Sequence, residues 1–284
     1  MSDTHPLVDT RWLAAAGQNV RIADVRWSLT GPDGWEKYRQ GHIPGAVFVD
    51  LDKDLSRPGG PGRHPFPATE DFARFLGRIG VGEGTHVVAY DDAFGSIAAR
   101  LWFLLKVHGH ERASVLDGGF QAWTAANNPV TTEEPRIAAV DPPLLVLDRR
   151  RLADHDEIAE MLAGRAKGDA GAILTDARAP ERYRGEVEPV DPRAGHIPGA
   201  VNAPVAGNLR EGRFLPSTDL RALYEKMGAG KREIIASCGS GVTACHTLLA
   251  LELSGLPPGR LYVGSFSDWS SRPGARVATG PEPG

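Results

Sequence analysis

The sequence predicts an α/β protein made of two copies of one domain, each a parallel-type sheet flanked by helices on both faces. Three observations carry this. The heptapeptide GHIPGAV stands at Gly41–Val47 and again at Gly195–Val201. Three further pairs of segments recur in the same order, at a spacing of about 150 residues, which marks an internal duplication. Short β-branched runs alternate with stretches of helical period, the pattern of strands joined by crossover helices.

The elements follow in order. Val20–Val25 reads as a strand and carries Asp24-Val25-Arg26 at its end. Val47–Val49 is a short strand after the first GHIPGAV, and Val87–Tyr90 is another, closed by Asp91. Ile97–Leu105 has helical period. Ser114–Leu116 is a strand leading into LDGGFQAW, Leu116–Trp123. Pro129–Pro143 is rich in Pro and charge and reads as an extended connection. The domains are accordingly placed at 1–135 and 151–284, with a linker at 136–150. In the second copy, Ile173–Arg178 repeats the Asp-x-Arg segment. Glu233–Cys238 answers His86–Asp91, and YVGSFSDW (Tyr262–Trp269) answers LDGGFQAW. Ile234–Ser237 is a strand and Val242–Leu253 a helix, with Cys238-Gly239-Ser240-Gly241 at the handover. The Pro/Gly-rich C-terminus reads as an irregular tail.

Composition narrows the function. Hydrophobic residues make up 41% and charged residues 24%, the balance of a soluble globular protein. A formal net charge of -4, with no run of Lys or Arg, argues against nucleic-acid binding. No apolar stretch approaches the roughly 20 residues that span a bilayer, and the polar N-terminus lacks the layout of a signal peptide. The expected location is the cytoplasm, with no membrane partner. Two cysteines, Cys238 and Cys245, make no disulfide framework.

Parallel sheets place ligands at the carboxyl ends of strands, where a strand hands over to a helix. Cys238 stands at that point. An ordinary thiol is only about 3% thiolate at pH 7. A loop entering a helix N-terminus turns backbone N–H groups inward and favours an anion there. Gly239 and Gly241 let the backbone curl into such a nest. A merely buried Cys needs no Gly-x-Gly turn, so Cys238 is read as the nucleophile. Cys245, beside Ala244, Leu248 and Leu249, is read as a small core residue. Cys238, Cys245 and His246 lack the ligand pairs of a zinc site. The first copy has Asp91 in place of the thiol and is read as chemically inactive. His42 and His196 occur in both copies and are therefore read as turn-forming residues rather than bases.

These motifs carry a resemblance. Two copies of Asp-x-Arg…GHIPGA, the loop CGSGVTA in the second, and the closing GSFSDW resemble the tandem-domain rhodanese family of sulfurtransferases, over about Leu7 to Trp269. In that family a CRKGVT loop goes with thiosulfate and a CGSGVT loop with 3-mercaptopyruvate. Cys238–Thr243 reads CGSGVT. The resemblance therefore implies sulfane sulfur transfer from 3-mercaptopyruvate, through a Cys238 persulfide, to thioredoxin, a small thiol or cyanide, with pyruvate released. Thiosulfate:cyanide transfer is the alternative. No organic cofactor or metal is implied. Gly239, Gly241, Val242 and Thr243 would cradle the substrate. Arg182 matches the family position that grips a carboxylate, which suits a two-point hydrogen-bonding group. The family's second Arg has no counterpart in register, where Val190 or Asp191 falls, so Arg193 or Arg184 would substitute. Arg178, like Arg26, reads as the partner of its neighbouring Asp. A proton relay would use Ser240, His64 and Asp52, the last two from the first domain, so that the thiol-less copy would wall the pocket.

Two other classes compete. A thiol phosphatase needs an Arg closing the loop, where this chain has Ala244. A non-catalytic docking module has no use for the Cys238 loop.

Overall fold

The computed structural model describes residues 4–17, 19–165 and 171–284. The chain divides into two units. One holds Met1–Arg57 and Phe66–Asp148, the other Pro58–Pro65 and Arg149–Gly284. The division is not the continuous one read from sequence, because a short early segment, with His64 in it, belongs to the second unit.

In the first unit the chain runs through β1 (Leu7–Val8), α1 (Thr10–Ala14), β2 (Val20–Asp24), α2 (Gly34–Gln40) and β3 (Val47–Phe48). It continues through α3 (Thr69–Arg78), β4 (His86–Tyr90), α4 (Ala98–Val107), β5 (Ala113–Leu116) and α5 (Gly119–Ala125). All five strands are parallel, in the order β1-β5-β4-β2-β3. The second unit has β6 (Leu152–Ala153), α6 (His155–Arg165), β7 (Ile173–Asp176), α7 (Pro180–Tyr183) and β8 (Val201–Asn202). An antiparallel pair, β9 (Leu209–Arg210) and β10 (Arg213–Phe214), comes next. Then follow α8 (Ser217–Met227), β11 (Ile234–Ser237), α9 (Ala244–Leu253), β12 (Arg260–Tyr262) and α10 (Ser265–Ser271). Its parallel sheet has the order β6-β12-β11-β7-β8, the first topology repeated strand for strand.

The strands β4 and β11 lie at the middle of their sheets and are buried along their whole length. A strand covered on both faces reads as a mostly apolar run, which is why Val87–Tyr90 and Ile234–Ser237 stand out in the sequence. The helices α4 and α9 are also buried all round, as their near-uniform apolar composition requires. Among the described residues, no helix is long and apolar enough to cross a membrane.

The repeated motifs are repeated braces. Arg26 binds both carboxylate oxygens of Asp24, and its Nη2 reaches the Gly41 carbonyl at 2.7 Å. Arg178 does the same with Asp176 and reaches the Gly195 carbonyl at 2.8 Å. Each pair is almost fully buried, so removing one partner would cost about 3–5 kcal/mol. His42 stacks on Tyr38 and His196 on Tyr183, both with ring centroids 3.8 Å apart. Each histidine Nδ1 donates to the carbonyl of the stacked tyrosine. The two histidines thus fasten the GHIPGA turns.

Candidate active site

The loop after β11 is held from below by the start of α10. The Cys238 N–H donates to Ser265 Oγ at 3.1 Å, and the Cys238 carbonyl accepts from the Phe266 N–H at 3.0 Å. The Gly239 carbonyl accepts from the Ser267 N–H at 2.8 Å. Gly241 has φ +74°, and a Cβ there would lie 2.4 Å from the Val263 carbonyl oxygen, so only glycine fits. Val242 is buried and Thr243 half-buried where the loop enters α9. The thiol-bearing residue itself is 1% exposed.

The first unit shows what this turn is suited to hold. After β4, the buried Asp91 carboxylate accepts from the N–H groups of Ala93, Gly95, Ile97 and Ala98, at 2.7–2.8 Å. Four converging N–H groups are an anion nest, and here the chain's own carboxylate fills it. Burial nevertheless pushes the Asp91 carboxyl up, with the four N–H groups opposing. The equivalent position of the second unit carries the thiol of Cys238.

Two guanidinium groups lie over Gly239. A Cβ built there would stand 3.0 Å from Arg63 Nη2 and 3.5 Å from Arg182 Nη1. Arg182 comes from α7 and binds both oxygens of Glu188, at 2.7 and 2.9 Å. Arg63 comes from the segment Pro58–Pro65, and its Nη1 pairs with Asp191. Arg178 also reaches Glu188, at 3.4 Å. Burial works against the Glu188 carboxylate, but the Asp191 N–H and Arg182 outweigh it and hold its pKa down. For Asp191, burial wins over Arg63 and pushes the carboxyl up.

Ser240 and His64 are both buried, and Ser240 Oγ lies 2.7 Å from His64 Nδ1. Gly62 fixes the approach. It has φ +76°, and a Cβ on it would meet the Gly264 carbonyl oxygen at 2.6 Å. The Arg63 N–H donates to Ser267 Oγ at 3.1 Å. Asp52 belongs to the first unit, where its carboxylate accepts from Trp27 Nε1 at 3.0 Å.

The structure therefore brings together Cys238, Gly239, Ser240, Gly241, His64 and Arg182. It corrects Arg193. That guanidinium donates to the carbonyls of Ser270, Ala275, Trp269 and Arg272, so all three of its nitrogens are committed to the end of α10. Arg184 is paired with Glu186 at the surface. Arg63 is the cation that sequence reading passed over, although it adjoins the candidate base.

The chain matches the family profile described as "Rhodanese-like domain" twice, over residues 9–126 and 155–272. It is 44% identical to the "Probable 3-mercaptopyruvate sulfurtransferase" of Pseudomonas aeruginosa over 273 residues, covering 92% of this chain and 93% of that one. It is 35% identical to the thiosulfate sulfurtransferase of Rattus norvegicus over 294 residues, covering 96% and 95%. The crystal structure of SseA from Escherichia coli, described as a 3-mercaptopyruvate sulfotransferase with the "Rhodanese" fold, superposes with a TM-score of 0.81 at 31% identity. That match covers 93% of this chain and 100% of the other. With both halves matched and the fold shared, the chain belongs to the tandem rhodanese family of sulfurtransferase enzymes.

Proposed function

We propose that the protein moves sulfur from 3-mercaptopyruvate to a thiol or cyanide through a persulfide on Cys238, releasing pyruvate. The observation that carries this reading is the grouping at one loop of a cysteine, a guanidinium group and a buried Ser240–His64 pair. Arg182 receives the substrate carboxylate in two-point fashion. The Cys238 thiolate attacks the substrate sulfur. An S–S bond forms and the C–S bond breaks, its electron pair passing into the enolate of pyruvate. Cys238 is left as the persulfide, and the enolate takes up a proton through Ser240 and His64. An acceptor thiolate then attacks the outer sulfur, carries it off as its own persulfide and restores the Cys238 thiolate. Cyanide accepts the same atom as thiocyanate. Thioredoxin and small thiols, abundant in the cytoplasm, suit the acceptor role. The loop itself carries no Lys or Arg, which favours a monocarboxylate donor over a dianion.

A paired donor assay tests the reading. Pyruvate release from 3-mercaptopyruvate plus a thiol is compared with thiocyanate release from thiosulfate plus cyanide, in wild type and Cys238→Ser. The expected result is a strong preference for 3-mercaptopyruvate, abolished by the substitution. A preference for thiosulfate would reassign the donor, and activity surviving in Cys238→Ser would remove the persulfide.

A further inference from the structure

We infer that Arg63 is the second anion-binding group of the donor pocket, and that Asp191, held against it, selects monoanionic over dianionic donors. This rests on the reading of the Cys238 loop as the donor site. Both guanidinium groups converge over Gly239, the residue after the nucleophile. Arg63 Nε and Arg182 Nε are buried and have no hydrogen-bond partner, so each keeps a donor that costs free energy until an acceptor arrives.

Asp191 supplies the restraint. Its side chain is 2% exposed, and one oxygen pairs with Arg63. The other lies 3.5 Å from Arg182 Nη2 and makes no hydrogen bond. Glu188 occupies another face of Arg182. Arg63, Arg178 and Arg182 thus stand against Asp176, Glu188 and Asp191, and the fixed charges cancel in number. An incoming carboxylate must share the two guanidinium groups with a buried negative charge. That sharing penalises two ligand charges more than one, since Coulomb energy grows with their product. At neutral pH 3-mercaptopyruvate enters as a monoanion and thiosulfate as a dianion.

The two partners of one ion pair should therefore act in opposite directions. KM and kcat are measured for both donors in wild type, Arg63→Gln, Arg63→Lys and Asp191→Asn. Arg63→Gln should raise KM for 3-mercaptopyruvate by about tenfold, with a smaller change in kcat. Arg63→Lys, which keeps the charge, should recover part of that loss and carries the test should the glutamine variant fail to fold. Asp191→Asn should lower KM for thiosulfate by about fivefold and move that for 3-mercaptopyruvate less. A readout independent of turnover is the rate of Cys238 alkylation by iodoacetate relative to neutral iodoacetamide. Arg63→Gln should lower this ratio and Asp191→Asn raise it. Shifts in the same direction for both substitutions would show a merely structural ion pair and overturn the inference. So would an unchanged alkylation ratio. If wild type used neither donor, the proposed function would fall, while the alkylation ratio would still decide for or against Arg63.

Discussion

Ser240 and Gly241 have separate tasks in the loop. Gly241 makes the turn, and the Val263 carbonyl forbids any side chain there. The hydroxyl of Ser240 meets His64 at 2.7 Å. If that contact moves the substrate proton, Ser240→Ala should lower kcat by about 100-fold or more, the usual scale of general acid–base assistance. Alkylation of Cys238 by iodoacetamide should then stay within about twofold of wild type, because that reaction needs no proton relay. Turnover at the wild-type rate in Ser240→Ala would remove the hydroxyl from the mechanism. An equal loss of turnover and of alkylation would show that the substitution disturbs the loop itself. The order CGSG was legible in sequence because turn, thiol and hydroxyl are neighbours along the chain. Thr243 and Val242 were legible only as parts of that motif, and the structure places them at the entry to α9.

At the scale of elements, strands with a strong apolar run were readable, and of the two-residue strands only β3, marked by the GHIPGAV before it, was read. Ile234–Ser237 matches β11 to the residue, and Val87–Tyr90 lacks only His86 of β4. β1, β6 and the β9–β10 pair contain too few residues to show any period. His86 was missed because a titratable side chain does not look like the first residue of a buried strand. Its Nε2 lies 2.9 Å from Ser114 Oγ, across to β5, and its ring packs edge-on against Trp12. Burial first, and then Arg112 and His110, lower its pKa to about 4. A histidine depressed in the folded state costs nothing above its unfolded value of about 6.5. Between there and about 4 the unfolded chain takes up a proton that the folded chain refuses, so stability is lost as pH falls, by up to about 3 kcal/mol. Thermal unfolding from pH 7 to pH 4 should show this loss. In His86→Gln, whose amide can still reach Ser114, the decline over that window should be shallower. Parallel curves for the two proteins would show that other groups govern acid stability.

The whole molecule is a duplication in which one sheet plan serves two ends. In the first unit the turn after the central strand is filled by Asp91, which uses four N–H groups for stability. In the second the same turn carries a thiol. The family and the Cys238 loop were legible because repeats and a short loop are local signals. The remainder of the candidate site was not, because His64 meets Ser240 across 176 positions and Arg63 meets Asp191 across 128. No periodicity records which distant segment supplies a cation, so Arg193 was a reasonable expectation until the end of α10 was seen to hold it. The segment Pro58–Pro65 belongs to the second unit although the chain before and after it belongs to the first. Gly62 and Arg63 fasten it to the start of α10, and His64 and Arg63 present their side chains to the Cys238 loop. Replacing Pro58–Pro65 by a Gly/Ser stretch of equal length should therefore remove base and cation together. Donor turnover should fall by about 100-fold or more, the loss of the base alone. The folded core should persist, because none of the eight residues belongs to the helices or the paired strands, and Cys238 should still react with iodoacetamide. Near-normal turnover in the replaced chain would show that α7 and the Cys238 loop alone make the site, and that Pro58–Pro65 is only a connection.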